Sequence, residues 1–241
     1  MTTGQNAWRR LTRDQDLFWI LRHHGFLGTV RWLRRSAPYY LWLHFTPAGR
    51  RERDFDKIHG VETDGMVPRW EMGDVGPNLR FAVQYLPTRP KAFHRLVGSL
   101  PINHSEFTFI DIGAGKGRVL LMASRYNFRK MIGVEFSSKL CEIARKNFKI
   151  CGCPVEIVCM DATQYAFPDD PLVLYMCNPF SLEPMQKLAQ NLEQSLGAKP
   201  RPIYVVYWNA LHPQPFVESS YFLQVAFKRE EFAIFRSIEC L

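Results

Sequence analysis

The sequence predicts an α/β fold with a largely parallel sheet, on three observations. Five short runs rich in β-branched and aromatic residues alternate with helix-patterned segments between Phe107 and Trp208. The first run ends on Asp111 and passes into a turn with glycine at 113, 115 and 117. Two period-2 runs, Tyr221–Phe227 and Glu231–Arg236, flank Lys228-Arg229-Glu230 and predict a closing antiparallel hairpin.

Ahead of that pattern lies a different kind of segment. Residues 12–36 carry the spacing of one or two helices, stopped by Pro38. A polar, charged stretch from Pro47 to Lys57 leads to His59-Gly-Val-Glu-Thr-Asp-Gly65, which reads as a turn or loop. Trp70 to Pro77 is irregular, and Pro90 to Leu100 fits a helix with proline at its start. Residues 1–100 are therefore expected to form a mainly helical and irregular extension, and residues 101–241 the core.

Within the core each element has its own signal. Phe107–Asp111 is the first strand. The glycines after it lack Cβ, so a ligand can approach the backbone and the turn amides are free to donate. Val119–Arg125 reads as a helix, and Met131–Glu135 as a second strand ending in an acid. Ser138–Phe148 places Leu140, Ile143, Ala144 and Phe148 on one apolar helical face. Val155–Cys159 leads into Asp161-Ala162, and Leu172–Cys177 is a buried-looking strand running into Asn178-Pro179-Phe180. Met185, Leu188, Leu192 and Leu196 give Leu182–Leu196 an apolar stripe, and Ile203–Trp208 is the fifth strand.

The strand ends carry the chemistry. A dinucleotide turn holds a pyrophosphate and needs glycine where this chain has Arg118. A carboxylate at Asp111 repels a pyrophosphate and suits a ligand with an ammonium group. Glu135, at the end of the second strand, suits the two hydroxyls of a ribose. Each acid also has a plain structural reading: Asp111 as a helix cap, Glu135 as a solvated strand end, Asp161 as an Asx-turn former. All three fall at strand C-termini, where open α/β sheets bind ligands, and that coincidence favours one pocket.

The pattern Asp-x-Gly-x-Gly-x-Gly at 111–117 resembles the first motif of the class I S-adenosylmethionine-dependent methyltransferases, and the resemblance extends over roughly 107–236. It implies a Rossmann-like, seven-stranded sheet in the order 3-2-1-4-5-7-6 and S-adenosylmethionine as cofactor, with S-adenosylhomocysteine as product. Asp111, Gly113 and Gly115 would hold the amino-acid end, Glu135 the ribose, and Asp161 with Ala162 the adenine. Tyr85 and the 59–65 loop would cover the methionine end. Asn178 would face the transferred methyl and, with Phe180, act at the acceptor. Asn178-Pro179-Phe180 is similar to the [Asn/Asp]-Pro-Pro-[Tyr/Phe] motif of enzymes that methylate amino and amide nitrogens, but has a single proline. The layout is similar to bacterial members without an assigned substrate.

Three functions stay open. The favoured one is methyl transfer to a small-molecule or peptide acceptor, nitrogen ahead of oxygen, with the first hundred residues and the loop after Trp208 selecting it. The second is a protein or nucleic-acid methyltransferase docking through its extension. The third is a non-catalytic cofactor-binding module.

Charge and cysteine usage bear on these. Residues 1–60 hold 11 Lys/Arg against 5 Asp/Glu, and the rest 20 against 18, so the basic part is the extension. Between Leu17 and Phe45, aromatics interleave with Arg22, Arg31, Arg34 and Arg35. That mixture suits an inward-packed cap first, peripheral membrane contact through 17–45 second, and nucleic acid last, because the core is close to neutral. Six cysteines lack a disulfide framework, with Cys159 and Cys177 placed in strands read as buried, which points to a reducing compartment. Cys151-Gly-Cys153 has no partner pair, so no metal site is expected. The apolar run Leu17–Leu21 is broken by Arg22-His23-His24, and a cytoplasmic location is the expectation.

Overall fold

The computed structural model describes residues 45–47, 49, 50, 54–65, 67, 72, 85, 87–228 and 231–238. The helices expected over 12–36, and all of the aromatic and arginine-rich stretch except Phe45, lie outside the described residues. The chain divides into two compact units, Met1–Asp54 and Phe55–Leu241.

Its sheet has seven strands: β1 (Thr108–Ile112), β2 (Lys130–Glu135), β3 (Glu156–Cys159), β4 (Leu172–Cys177), β5 (Ile203–Trp208), β6 (Phe222–Lys228) and β7 (Phe232–Ser237). They lie in the order β3-β2-β1-β4-β5-β7-β6, as the family resemblance implies. β1 pairs in parallel with both β2 and β4, and β7 joins antiparallel between β5 and β6. The chain leaves β1 toward β2 and later returns to its other side as β4. Such a switch of direction opens a crevice at the strands' C-terminal ends. All five residues of β1 are buried, as expected for a strand covered on both faces.

Helices cover the two faces. The described ones are α1 (Phe55–His59), α2 (Pro90–Val97), α3 (Arg118–Ala123), α4 (Ser138–Cys151), α5 (Leu182–Ala198) and α6 (Gln214–Val217). One core gathers Phe93, Leu96 and Val97 of α2 with Phe109, Leu120, Phe148 and Tyr175; the other joins Met185, Leu188 and Leu192 of α5 to Ile112, Leu174 and Phe235. α4 begins at Ser137, whose Oγ accepts from the Leu140 amide, and ends at Gly152 in a left-handed conformation, a cap only glycine takes without strain. Among the described residues, no helix is long and apolar enough to cross a membrane.

Some local expectations shift. Part of the stretch 47–57 is helical, because α1 buries Phe55 in the core shared with α2 and α3. Residues 55–65 and 90–97, grouped by sequence with the extension, thus contribute side chains to the core of the second unit. β3 is an edge strand, so Cys159 is exposed instead of buried. The helix after the glycine turn begins at Arg118, and a separate 3-10 turn over Ser124–Tyr126 follows it.

Candidate active site

A cleft at the C-terminal ends of β1, β2 and β4 is lined, among the described residues, by Tyr85, Asp111, Gly113, Glu135, Asn178 and Phe180, with others around them. Strand pairing dictates this gathering: Asp111 lies one residue before the end of β1, Glu135 ends β2, and Asn178 follows the last residue of β4.

The glycine turn departs from its expected role as a set of free donors. The Gly113 and Ala114 amides both donate to the Val134 carbonyl, at 2.9 and 3.1 Å. The Gly115 amide donates to Glu135 Oε2 at 2.9 Å. Turn and second strand are thereby sewn together. Gly115 has φ +54°, and a Cβ built there would meet Tyr85 Cδ2 and Cε2 at 2.3 Å, so the aromatic ring lies directly on this glycine. Tyr85 is positioned by a bridge to Val67 and by its hydroxyl, which donates to the Thr63 carbonyl at 2.7 Å. Burial pushes its phenol well above its ordinary pKa.

Two acids define the floor. Glu135 is 4% exposed, and its other oxygen accepts from the Ser137 amide at 2.9 Å. Those amides fix the carboxylate and still leave lone pairs on both oxygens. Asp111 is 3% exposed. Burial, then the charge of Glu135, pushes its carboxyl well above the usual range. Glu135 is raised too, by burial, although its backbone donors pull it back. Two buried acids in one cleft fit a ligand with a cation at one end and hydroxyls beside it.

Asn178 closes the site beside β4. It is 6% exposed and sits at φ +42°, a region asparagine tolerates better than most residues. Its Oδ1 accepts from the Tyr207 hydroxyl at 3.2 Å, and the Tyr207 oxygen accepts from the His212 amide at 3.3 Å. Pro179 lies over Gly113, and half-buried Phe180 lines the cleft. Thr88 and Cys177 also line it, and burial pushes the Cys177 thiol up to about 11.

Asp161 and Ala162 sit apart from this group. Asp161 Oδ1 accepts from the Thr163 amide and hydroxyl at 2.9 and 2.8 Å, capping the 3-10 turn over Ala162–Gln164. Neither is among the described residues lining the cleft, and Ala162 is buried against the α5 side of the sheet. Sequence reasoning missed Tyr207, whose hydroxyl meets Asn178 only because β5 pairs with β4. Among the described residues, no group of His, Cys, Asp and Glu is arranged to hold a metal ion.

Residues 109–198 match a family model described as a methyltransferase domain. Over those residues the chain is similar to a methyltransferase domain, on a sheet whose strand order is the one the class I resemblance implies. The chain shares its fold with a solved structure from Listeria monocytogenes, described as a predicted N6-adenine-specific DNA methylase, at 13% identity and a TM-score of 0.50. That match covers 64% of this chain and 52% of the other. YcgJ from Bacillus subtilis is 22% identical over 53% of this chain and 55% of its own, with a TM-score of 0.41. An RNA methyltransferase from Salinibacter ruber, solved with S-adenosylhomocysteine, is 19% identical with a TM-score of 0.43, covering 63% of this chain and 92% of its own. The chain spans about half the length of the first two. No curated protein matches it. S-adenosylmethionine is the cofactor of this class of domain.

Proposed function

We propose that the protein is an S-adenosylmethionine-dependent methyltransferase acting on a small-molecule or peptide acceptor, with nitrogen favoured over oxygen. One observation carries the reading: buried Asp111 and Glu135 share a cleft with Asn178 at the C-terminal ends of adjacent parallel strands. Asp111, with the turn at Gly113 and Gly115, would hold the ligand's ammonium end. Glu135, already fixed by two amides, would receive the ribose hydroxyls, and Asp161 with Ala162 would bound the adenine. Tyr85 would cover the amino-acid end. The cofactor supplies a methyl group on a sulfonium, which leaves as a neutral thioether when an acceptor lone pair takes the methyl.

The chain's own part at the acceptor is orientation. Tyr207 fixes the Asn178 amide, which would align the acceptor by hydrogen bonding without itself titrating. Phe180 would offer a flat apolar surface. The Cys177 thiol stays protonated near neutral pH, so a neutral amine, whose lone pair is already free, suits this wall. A protein or nucleic-acid acceptor is the second reading, favoured by the basic charge of residues 1–60.

Incubation with methyl-tritiated S-adenosylmethionine and a fractionated cell extract tests the assignment. Label in the small-molecule or peptide fraction is the expected result. Label confined to nucleic acid or intact protein would replace the first reading with the second. Absence of label from every fraction, with cofactor binding intact, would favour a non-catalytic module.

A further inference from the structure

Arg118 begins α3, is 5% exposed and borders the same cleft, yet its guanidinium is held by protein partners away from the acids of the floor. Its Nε donates to Thr63 Oγ1 at 2.7 Å, its Nη2 to Asp56 Oδ1 at 3.3 Å, and its guanidinium lies 4.6 Å from the centre of the Phe55 ring. Asp56, in α1, gathers the loop that follows the helix: its Oδ2 accepts from the amides of Thr63 and Asp64, both at 2.6 Å, and its Oδ1 from the Thr63 hydroxyl at 2.5 Å. Burial pushes the Asp56 carboxyl up, but these donors and the Arg118 charge outweigh it and hold the carboxyl below its ordinary range.

The next link is Tyr85. Its hydroxyl donates to the Thr63 carbonyl, and its ring lies on Gly115, three residues before Arg118. Hydrogen bonds therefore run from the start of α3 to α1 and the loop after it, and on to Tyr85, whose ring makes the return contact with the glycine turn. A planar guanidinium can serve Thr63 and Asp56 while its face meets Phe55; a lysine ammonium has no such fork. A second tie runs parallel to it, since Lys116 Nζ donates to the Asp64 carbonyl at 2.9 Å.

We propose that Arg118 is a positioning residue that, through Asp56 and Thr63, holds Tyr85 across Gly115 and so sets the affinity for the amino-acid half of the cofactor. The proposal rests on the S-adenosylmethionine reading above. It predicts a selective effect: groups that touch the adenosine half should be indifferent to Arg118, whereas the amino-acid half should lose its cover.

Calorimetric titration of the full chain with S-adenosylhomocysteine and with 5′-methylthioadenosine, which lacks the amino-acid end, tests this. Arg118→Met should weaken S-adenosylhomocysteine by about tenfold or more and leave methylthioadenosine within about twofold. Tyr85→Phe, which keeps Arg118 and the ring but cuts the bond to Thr63, should move the ratio in the same direction. Should Arg118→Met fail to fold, Tyr85→Phe carries the test alone. An unchanged ratio of the two affinities in folded variants, whether both fall together or neither falls, would overturn the proposal while leaving the cofactor reading intact. Failure of the wild-type chain to bind either compound would overturn both.

Discussion

The Tyr207 hydroxyl donates to Asn178 Oδ1 at 3.2 Å, tying the fifth strand to the residue that follows the fourth. Both side chains are buried, so the amide is oriented before any acceptor arrives. Asn178→Ala should lower kcat by a factor of about 10²–10³, the range for losing a preorganised hydrogen-bonding group. Tyr207→Phe should lower it less, by about tenfold, because the amide remains but is no longer aimed. Steady-state kinetics on the acceptor found by tritium transfer checks this. A Tyr207→Phe enzyme with unchanged kcat would show that the amide needs no such partner.

Asp111 carries a stability cost that Asp111→Asn should remove. Its carboxyl pKa is raised in the folded state, so the fold is penalised as pH climbs past the ordinary carboxyl range toward that raised value. At neutral pH the variant should therefore melt a few degrees higher, yet bind S-adenosylhomocysteine more weakly, because the ammonium loses its counter-charge. Thermal melts with and without ligand decide it. A variant that melts lower, or binds undiminished, contradicts the account.

The same shift fixes the sign of a pH effect on binding. A ligand ammonium favours ionised Asp111, so binding should release protons and strengthen as pH rises from the ordinary carboxyl range toward the raised Asp111 value. Titrations in two buffers of different ionisation enthalpy measure that release directly. Proton uptake would place the cation elsewhere.

Glycine substitutions separate backbone strain from crowding. Gly152 has φ +62° with open space around its missing Cβ, so Gly152→Ala should cost only about 1 kcal/mol of strain. Gly115→Ala adds the overlap with the Tyr85 ring, and should cost more. Tyr85→Ala introduced beside it should remove the excess. Chemical denaturation of the single and double variants gives the comparison, and equal costs at the two glycines would show that the ring moves aside freely.

Much of this was legible in the sequence because it is local. The period of the apolar residues marks β1, β2, β4 and α5, and the acids fall at strand ends where a parallel sheet places its ligand. What was not legible depends on pairing across the chain. Tyr207 meets Asn178 only through the β4–β5 register, and the turn amides prove to be taken because Val134 and Glu135 lie alongside them. Arg118 reads by sequence as a departure from a dinucleotide turn; its partners Asp56 and Thr63 lie more than 50 residues earlier. Asp161 shows the opposite case, a residue whose local capping role is plain in the structure.

Calorimetric titration of the wild-type chain with S-adenosylhomocysteine, alongside Glu135→Ala and NAD, separates an S-adenosylmethionine site from a dinucleotide site. The expected result is saturable one-site binding to the wild type, affinity lower by about ten- to a hundredfold in Glu135→Ala, and no binding of NAD. Preferential binding of NAD, or equal affinity of the wild type and Glu135→Ala for S-adenosylhomocysteine, would contradict it.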